Sequence, residues 1–373
     1  MRDFALEVYF SKWEFAARHH LTASDAQSMT LAELLGHASP PDRDRFDNLH
    51  LGYTQTFGAA PLRAEIAATY EGIAPDQLLC FAGAEEGIYV AMRTLLGPDD
   101  HAIVITPNYQ AAETIPLGLC AVSGVPLDED DRWSLDIDRV KAAIRPNTRL
   151  ISINFPNNPT GAILPLARFD ALVDLCRQHG VWLFSDEVYR LVERDPALRL
   201  PQVADVYERG ISLNVMSKSY GLPGLRIGWL ACQDRAFLSA CERYKHYLSI
   251  CNSAPSELLA EIALKAREPI LARNRAIVAA NLALLGPFFA EFPDLFDWRA
   301  PDGSCVAFLR YKGSDGVEAF TTRLVEEAGV LLLPSSIYRS ELGPVPANHF
   351  RIGFGRSAVP EALAAFGDWL RRR

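Results

Sequence analysis

The chain lacks any apolar run long enough to cross a bilayer, any CxxC pair, any surplus of positive charge, any internal repeat and any low-complexity tract. Each absence closes a class of function. A membrane helix needs about 20 consecutive apolar residues. The 7 cysteines are odd in number and scattered at positions 80, 120, 176, 232, 241, 251 and 305, which argues against a disulfide framework. Cys232, in Trp229-Leu230-Ala231-Cys232, reads as a small core residue. A formal charge of −9 offers no positive field to nucleic acid or anionic lipid, so neither is an expected partner. The closing Arg371-Arg372-Arg373 reads as a solvated helix end beside the negative pole of its dipole rather than as a binding patch. His19-His20 has no Cys or Glu at zinc spacing, so no metal is expected. The first residues carry Asp3, Glu7, Lys12 and Glu14 and do not form a secretory signal. The expected compartment is a reduced cytoplasm.

What remains is an ordinary globular composition, 49% apolar and 22% charged, in a 373-residue chain long enough for two domains or a large and a small lobe. Residues 1–45 mix aromatics, charges and breakers up to Ser39-Pro40-Pro41-Asp42 and read as an arm. Pro61 opens a helical pattern through Tyr70. From about residue 78 to 232, short apolar runs alternate with helical spacing. Leu78–Ala82, Ala102–Thr106, Leu150–Phe155, Val181–Ser185 and Ile211–Met216 read as strands, and Glu85–Leu96 and Leu166–His179 as helices. Strands apolar throughout, set between amphipathic helices, indicate an α/β fold with a mostly parallel sheet buried on both faces. Past residue 255 comes a long helical stretch through Ile270 and Leu285. A smaller α+β segment follows, with strands at Ser304–Arg310, Val330–Leu333 and His349–Phe354 and helices at Gly316–Ala328 and Pro360–Leu370.

Ligands of such sheets sit at the carboxyl ends of the strands, and the polar residues of interest fall there. Lys218 follows the run Ile211–Met216, with Arg226 eight positions on and Gly221 and Gly224 between. That arrangement suits an amine acting as a Schiff-base nucleophile beside a guanidinium gripping a phosphate, the pair that pyridoxal phosphate requires. The same cofactor wants a carboxylate for its ring nitrogen, donors for its 3-oxygen, an aromatic for its ring face and backbone N–H groups for its phosphate. Its amino-acid substrate wants a second arginine. Asp186 reads either as a helix N-cap or as the ring-nitrogen partner, and Tyr189 lies three residues on. Asn158, in Asn157-Asn158-Pro159-Thr160-Gly161, reads as turn chemistry or as a donor. Gly83-Ala84-Glu85 forms a helix N-terminus open to an anion, provided that Glu85 and Glu86 turn their side chains away. Tyr109 is a turn aromatic or a ring-stacking partner. Arg351 is a charge inside an apolar strand and needs a partner, either a substrate carboxylate or a structural ion pair.

In their order along the chain, Gly83, Tyr109, Asn158, Asp186, Tyr189, Lys218, Arg226 and Arg351 resemble the fold-type-I pyridoxal phosphate enzymes, specifically the class I/II aminotransferases. The resemblance covers nearly the whole chain and rests on Asn-Asn-Pro-Thr-Gly, Asp-Glu-Val-Tyr and Ser-Lys-(x)2-Gly-(x)2-Gly-x-Arg-x-Gly-Trp. It implies a large cofactor-binding domain at 46–265 with a mostly parallel seven-stranded sheet, a small α+β domain at 266–373, and an arm at 1–45 packed on the small domain and the active site. It implies pyridoxal 5′-phosphate held by Gly83, Ala84, Glu85, Tyr109, Asn158, Asp186, Tyr189, Ser217, Lys218 and Arg226, with Arg351 and Asn158 on the substrate. It also implies a homodimer, in which Tyr53, upstream of Gly58-Ala59-Ala60-Pro61-Leu62-Arg63, reaches the neighbour's phosphate and the loop at Asn252-Ser253 visits the neighbour's site. The expected activity is transfer of an amino group between an amino acid and a 2-keto acid. Elimination, replacement or cyclisation on the same scaffold is the alternative. In two places the chain departs from the family: Val215 stands where a phosphate-binding serine is common, and no match exists for the extra arginine of dicarboxylate-specific members. Within the arm, Lys12, Trp13 and Glu14 are candidates to meet the substrate side chain, with packing on the small domain the competing reading.

Overall fold

The protein is described by a computed structural model covering residues 2–372. Its centre is a seven-stranded sheet of Leu78–Phe81 (β1), His101–Thr106 (β2), Ala121–Pro126 (β3), Thr148–Asn154 (β4), Trp182–Asp186 (β5), Gly210–Val215 (β6) and Gly228–Cys232 (β7). The spatial order is β1-β7-β6-β5-β4-β2-β3. Neighbours pair in parallel except β7, which runs antiparallel to β1 and β6. The apolar runs at β1, β2, β4, β5 and β6 therefore end on one edge of the sheet, and β7 begins there.

Local chemistry explains most element ends. Helix Leu166–His179 stops at Gly180, whose left-handed backbone (φ 64°) closes the last turn. Helix Ala84–Leu95 turns Ile88, Val90, Ala91, Met92 and Leu95 inward against the sheet. The string Ser39-Pro40-Pro41-Asp42 is a helix start rather than a break. Ser39 caps helix Pro40–Asp47 by accepting from Asp42 N at 3.2 Å, and proline is tolerated in a first turn.

Strand β7 is not among the strands read from the sequence, and neither is edge strand β3. Only Val125 of it is buried, and it contains Gly124 and Pro126, so it has neither the apolar run of an inner strand nor clean alternation. The stretch read as one long helix past residue 255 is two, Ala254–Lys265 and Arg267–Ala290. The run Val330–Leu333 is likewise split. Val330–Leu331 pairs in parallel with His19–His20 of the arm, while Leu333–Pro334 joins a four-stranded antiparallel sheet with His349–Gly353, Val306–Tyr311 and Phe296–Asp297. His19-His20 is thus sheet backbone at the arm's root. The last helix, Val359–Arg371, places Arg371 against Glu291 and Asp368. Arg373 lies outside the described residues. No helix among the described residues is long and apolar enough to cross a membrane.

Candidate active site

The shared strand edge opens onto a cavity of about 550 Å³. Its wall carries Ala84 and Glu85 after β1, Tyr109 after β2, Asn158 after β4, Asp186 and Tyr189 at β5, Ser217 and Lys218 after β6, and Arg226 just before β7. Residues spread over more than a hundred positions meet because parallel strands deliver every carboxyl end to one place. Arg226 precedes its strand rather than following one. It arrives because β7 is antiparallel and begins where the others finish.

Lys218 donates from Nζ to Ser24 Oγ of the arm at 2.8 Å, and its carbonyl accepts from Ala26 N at 3.1 Å. Burial lowers the pKa of its amine from the ordinary lysine value. The Asp25 carboxylate opposes that shift and the Arg351 guanidinium adds to it. Asp186 moves the other way, its carboxyl pushed up to about 7 by burial, against the N–H of Val188 (3.2 Å) and the charge of Lys218. Burial thus drives an amine and a carboxyl on neighbouring strands toward neutrality.

Asn158 is 6% exposed and Arg351 1%. Arg351 donates from Nη1 to Asn158 Oδ1 (2.9 Å) and from Nη2 to the carbonyl of Thr22 (2.6 Å), while its Nε has no partner. Among the described residues no carboxylate pairs with it. Between the two readings of this buried charge, the structural ion pair is therefore excluded. Because Asn158 Oδ1 is committed to Arg351, its Nδ2 is the end left to donate. The hydroxyl of Tyr189, also buried at 1%, is approached by the Ser24 hydroxyl but has no acceptor for its own proton among the described residues. Such an orphaned donor is costly and fits a ligand oxygen in the cavity.

The turn Gly83-Ala84-Glu85 is shaped for close approach. Gly83 has φ 99°, and a Cβ on it would stand 2.5 Å from Arg226 Nη2. A Cβ on Gly228 would come within 2.7 Å of the Gly83 carbonyl carbon and 2.8 Å of Ala84 N. Glycine at Gly228 therefore lets β7 run against this turn and sets Arg226 beside a helix N-terminus. Arg226 is exposed and bonds only to the carbonyls of Ala82 and Pro223. Glu86 does turn away, accepting from Ala82 N at 2.7 Å and Ser249 N at 3.2 Å. Glu85 does not. Its side chain enters the cavity, bonds Tyr109 and leaves Oε2 buried without a partner. For Glu85, then, only the backbone N–H remains available to an anion. Val215 is a buried strand residue and contributes nothing to the cavity.

The structure separates two sequence candidates from the cavity. Tyr53 is 92% exposed and does not line it. Asn252 is engaged within its own chain, donating to Glu257 Oε1 (2.9 Å) and accepting from Lys245 Nζ (3.3 Å). In the arm, Lys12 lies over the Trp13 ring at 4.4 Å and neither residue lines the cavity, whereas Glu14 does. Sequence reasoning missed Ser24, Asn154, Glu7, Phe4 and Phe10. Asn154 ends β4 and joins two strand ends, donating to the Asp186 carbonyl (2.9 Å) and accepting from Asn158 N (2.7 Å). Phe4, Glu7, Phe10 and Glu14 recur at helical spacing along Ala5–Trp13 and its C-cap, a periodicity that marks them as one face.

The constellation fits pyridoxal phosphate: an amine and a carboxyl on adjacent strands, unspent donors at Tyr189 and Asn158, and an arginine beside a helix N-terminus. The family model described as aminotransferase class I and II matches residues 43–365. The arginine–pyruvate transaminase of Pseudomonas aeruginosa is 31% identical over 83% of this chain and 79% of its own length. Capreomycidine synthase of Streptomyces vinaceus is 28% identical over 98% of this chain and 93% of its own. The crystal structure of a PLP-dependent aminotransferase from Streptococcus suis superposes with a TM-score of 0.92 at 30% identity, covering 100% of this chain and 98% of that one.

Proposed function

Since the chain belongs to the class I and II aminotransferases, we propose that it transfers an amino group between an amino acid and a 2-keto acid, with Lys218 both anchoring pyridoxal 5′-phosphate and moving the proton. The observation that carries this reading is the pairing of Lys218 with Asp186 on one cavity, burial lowering the amine's pKa and raising the carboxyl's to about 7. The bound cofactor supplies a carbonyl for the amine and a protonated ring that takes up the electron pair left at Cα. The chain's residues do the rest. Asp186 would hold the proton on the ring nitrogen. Tyr189 and the Nδ2 of Asn158 would donate to the 3-oxygen. Arg226, Ser217 and the N–H groups of Gly83, Ala84 and Glu85 would receive the phosphate, and Tyr109 would cover a ring face. Arg351 grips the α-carboxylate and so orients the Cα–H bond toward Lys218, whose amine takes that proton and returns it.

The functional unit we propose is a homodimer. Leu51 and Tyr53 (79% and 92% exposed) and Tyr247 and Ile250 (90% and 51%) belong to two segments tied together where Thr54 donates to the Asn252 carbonyl at 2.9 Å. A surface of that apolarity is suited to a second copy, and Tyr53 would then face the partner's phosphate. We divide the chain into an arm (1–45), a cofactor-binding domain (46–265) and a small domain (266–373). Containment of the seven-stranded sheet in the second and the four-stranded sheet in the third supports this division. The cytoplasm is the compartment consistent with an odd set of free cysteines.

The test is spectroscopic. Purified holoenzyme should lose its visible absorbance on addition of an amino-acid donor and regain it with a 2-keto acid. Pyruvate belongs in the acceptor panel because the transaminase relative is named for it. Lys218→Ala should lack the lysine-bound absorbance and all turnover; a coloured, active variant would overturn the assignment. A second reading is cyclisation, elimination or replacement on the same scaffold. One observation favours it: a solved structure named as a PLP-dependent cyclase superposes with a TM-score of 0.90 at 25% identity over 100% of this chain. Release of ammonia or pyruvate without bleaching would establish that reading instead.

A further inference from the structure

The arm closes the cavity opposite the sheet edge, and its inward face is acidic. Glu7 and Glu14 line the cavity, and among the described residues neither carboxylate has an ion-pair or hydrogen-bond partner. Glu85 faces them from the head of helix Ala84–Leu95, with Oε2 buried and unpartnered. Glu7 acts electrostatically on both Glu85 and Tyr109, which places the arm's carboxylate in reach of that corner. The cations that could neutralise these groups are committed elsewhere. Lys12 lies over Trp13, Arg226 stands at the phosphate turn, and Lys218, which bonds Ser24, acts on Glu85 only through its charge, the weakest influence on a carboxyl that burial pushes up. Of the other lining acids, Asp25 is paired with Arg356 at 2.9 Å and Asp186 lies beside Lys218.

We propose that the amino-acid substrate carries a long cationic side chain, whose guanidinium or ammonium head is received by Glu85, Glu7 and Glu14. This rests on the transaminase reading and adds the chemistry of the donor. With the α-carboxylate directed to Arg351, which stands behind the lining residue Asn158, and the reacting Cα at Lys218, the arm residues that line the cavity are available to the side chain. Phe4 and Phe10 line that route and pack an aliphatic stem, and their ring faces attract a cation. A guanidinium fork suits facing carboxylates better than a point charge does. A neutral side chain would leave the buried Glu85 oxygen unpaired, and a second carboxylate would meet only like charge.

The experiment follows the visible spectrum of the full-length holoenzyme with L-arginine, L-lysine, the neutral isostere L-citrulline, L-norleucine and L-glutamate. Arginine should be preferred over citrulline in kcat/KM by about 100-fold, chiefly through KM, as expected when paired charges replace neutral contacts. Glu85→Gln should cut that ratio by about tenfold, and Glu7→Gln with Glu14→Gln by a few-fold each, since exposed pairs are weaker. The arm carboxylates are exposed, so their double variant tests the idea even where Glu85→Gln folds poorly. Equal rates for citrulline and arginine, or a double variant with an unchanged arginine-to-citrulline ratio, would overturn the proposal while leaving transamination intact. Conversely, a spectrum that responds to arginine selectively but is not restored by any 2-keto acid would sink transamination and keep the charge selection. A spectrum unresponsive to every amino acid would overturn both.

Discussion

At the scale of single residues, two buried charges decide the chemistry, and each makes a prediction. Arg351 spends Nη1 on Asn158 and Nη2 on the Thr22 carbonyl yet pairs with no carboxylate among the described residues. Replacing it by lysine removes the fork and leaves those acceptors short of donors. Arg351→Lys should weaken amino-acid binding by roughly 1–3 kcal/mol, read as a rise in KM with the cofactor still bound. Asp186 titrates near 7 because burial disfavours its charged form. A carboxyl whose folded pKa exceeds its unfolded value stabilises the fold at low pH and loses that contribution as pH climbs from about 4 through 7. In cofactor-free protein, Asp186→Asn should therefore gain melting temperature relative to wild type as pH rises over that window, by about 1–3 kcal/mol at the top. Glu187, also raised to about 7 by burial, has the same sign and remains in both proteins, so it cancels in the comparison. A difference that shrinks with rising pH would contradict the assignment. Loading with pyridoxal phosphate should reverse the order, because the wild-type carboxylate then has a cationic partner.

At the scale of elements, the antiparallel strand β7 matters more than its length suggests. It carries Arg226 to the cavity and lies backbone-to-backbone on the Gly83 turn. Gly228→Ala would push a methyl group into main-chain atoms at 2.7 Å and 2.8 Å, which a flexible side chain cannot relieve. The strand or the turn must shift, at a cost of about 1–3 kcal/mol. The variant should bind the cofactor at least about tenfold more weakly, measured by titrating the cofactor-free protein. Unaltered affinity would mean that the turn does not hold the phosphate. The arm is the second such element. It is fastened by the pairing of His19–His20 with Val330–Leu331 and by the bond of Lys218 to Ser24. Its acidic face was legible as a helical repeat of Glu7 and Glu14, but the direction of that face was not, since an isolated helix of 9 residues does not say what it lies against.

At the scale of the whole molecule, the exposed aromatics Tyr53 and Tyr247 set the expectation of a dimer. Sedimentation should give twice the 41.3 kDa of one chain. Tyr247→Asp buries a charge in the proposed contact, so it should yield monomer and weaken cofactor retention together. A protein that is monomeric and fully loaded without the variant would refute the shared-site reading.

The sequence by itself determined the parallel sheet, the order of its strands along the chain and the residues that stand at their ends. Buried strands read as continuous apolar runs, and the loss of apolarity at each carboxyl end marks where polar residues begin. It did not determine β3, whose half-exposed edge position leaves no pattern, or β7 as a strand, or that the Asn252 side chain serves Lys245 and Glu257 of its own chain. Only the tertiary structure decided that Arg351 has no carboxylate of its own, that Glu85 turns into the cavity while Glu86 turns out, and that the arm adds Glu7 and Glu14 opposite. Those outcomes depend on which groups meet across hundreds of residues, and local periodicity carries no information about such meetings.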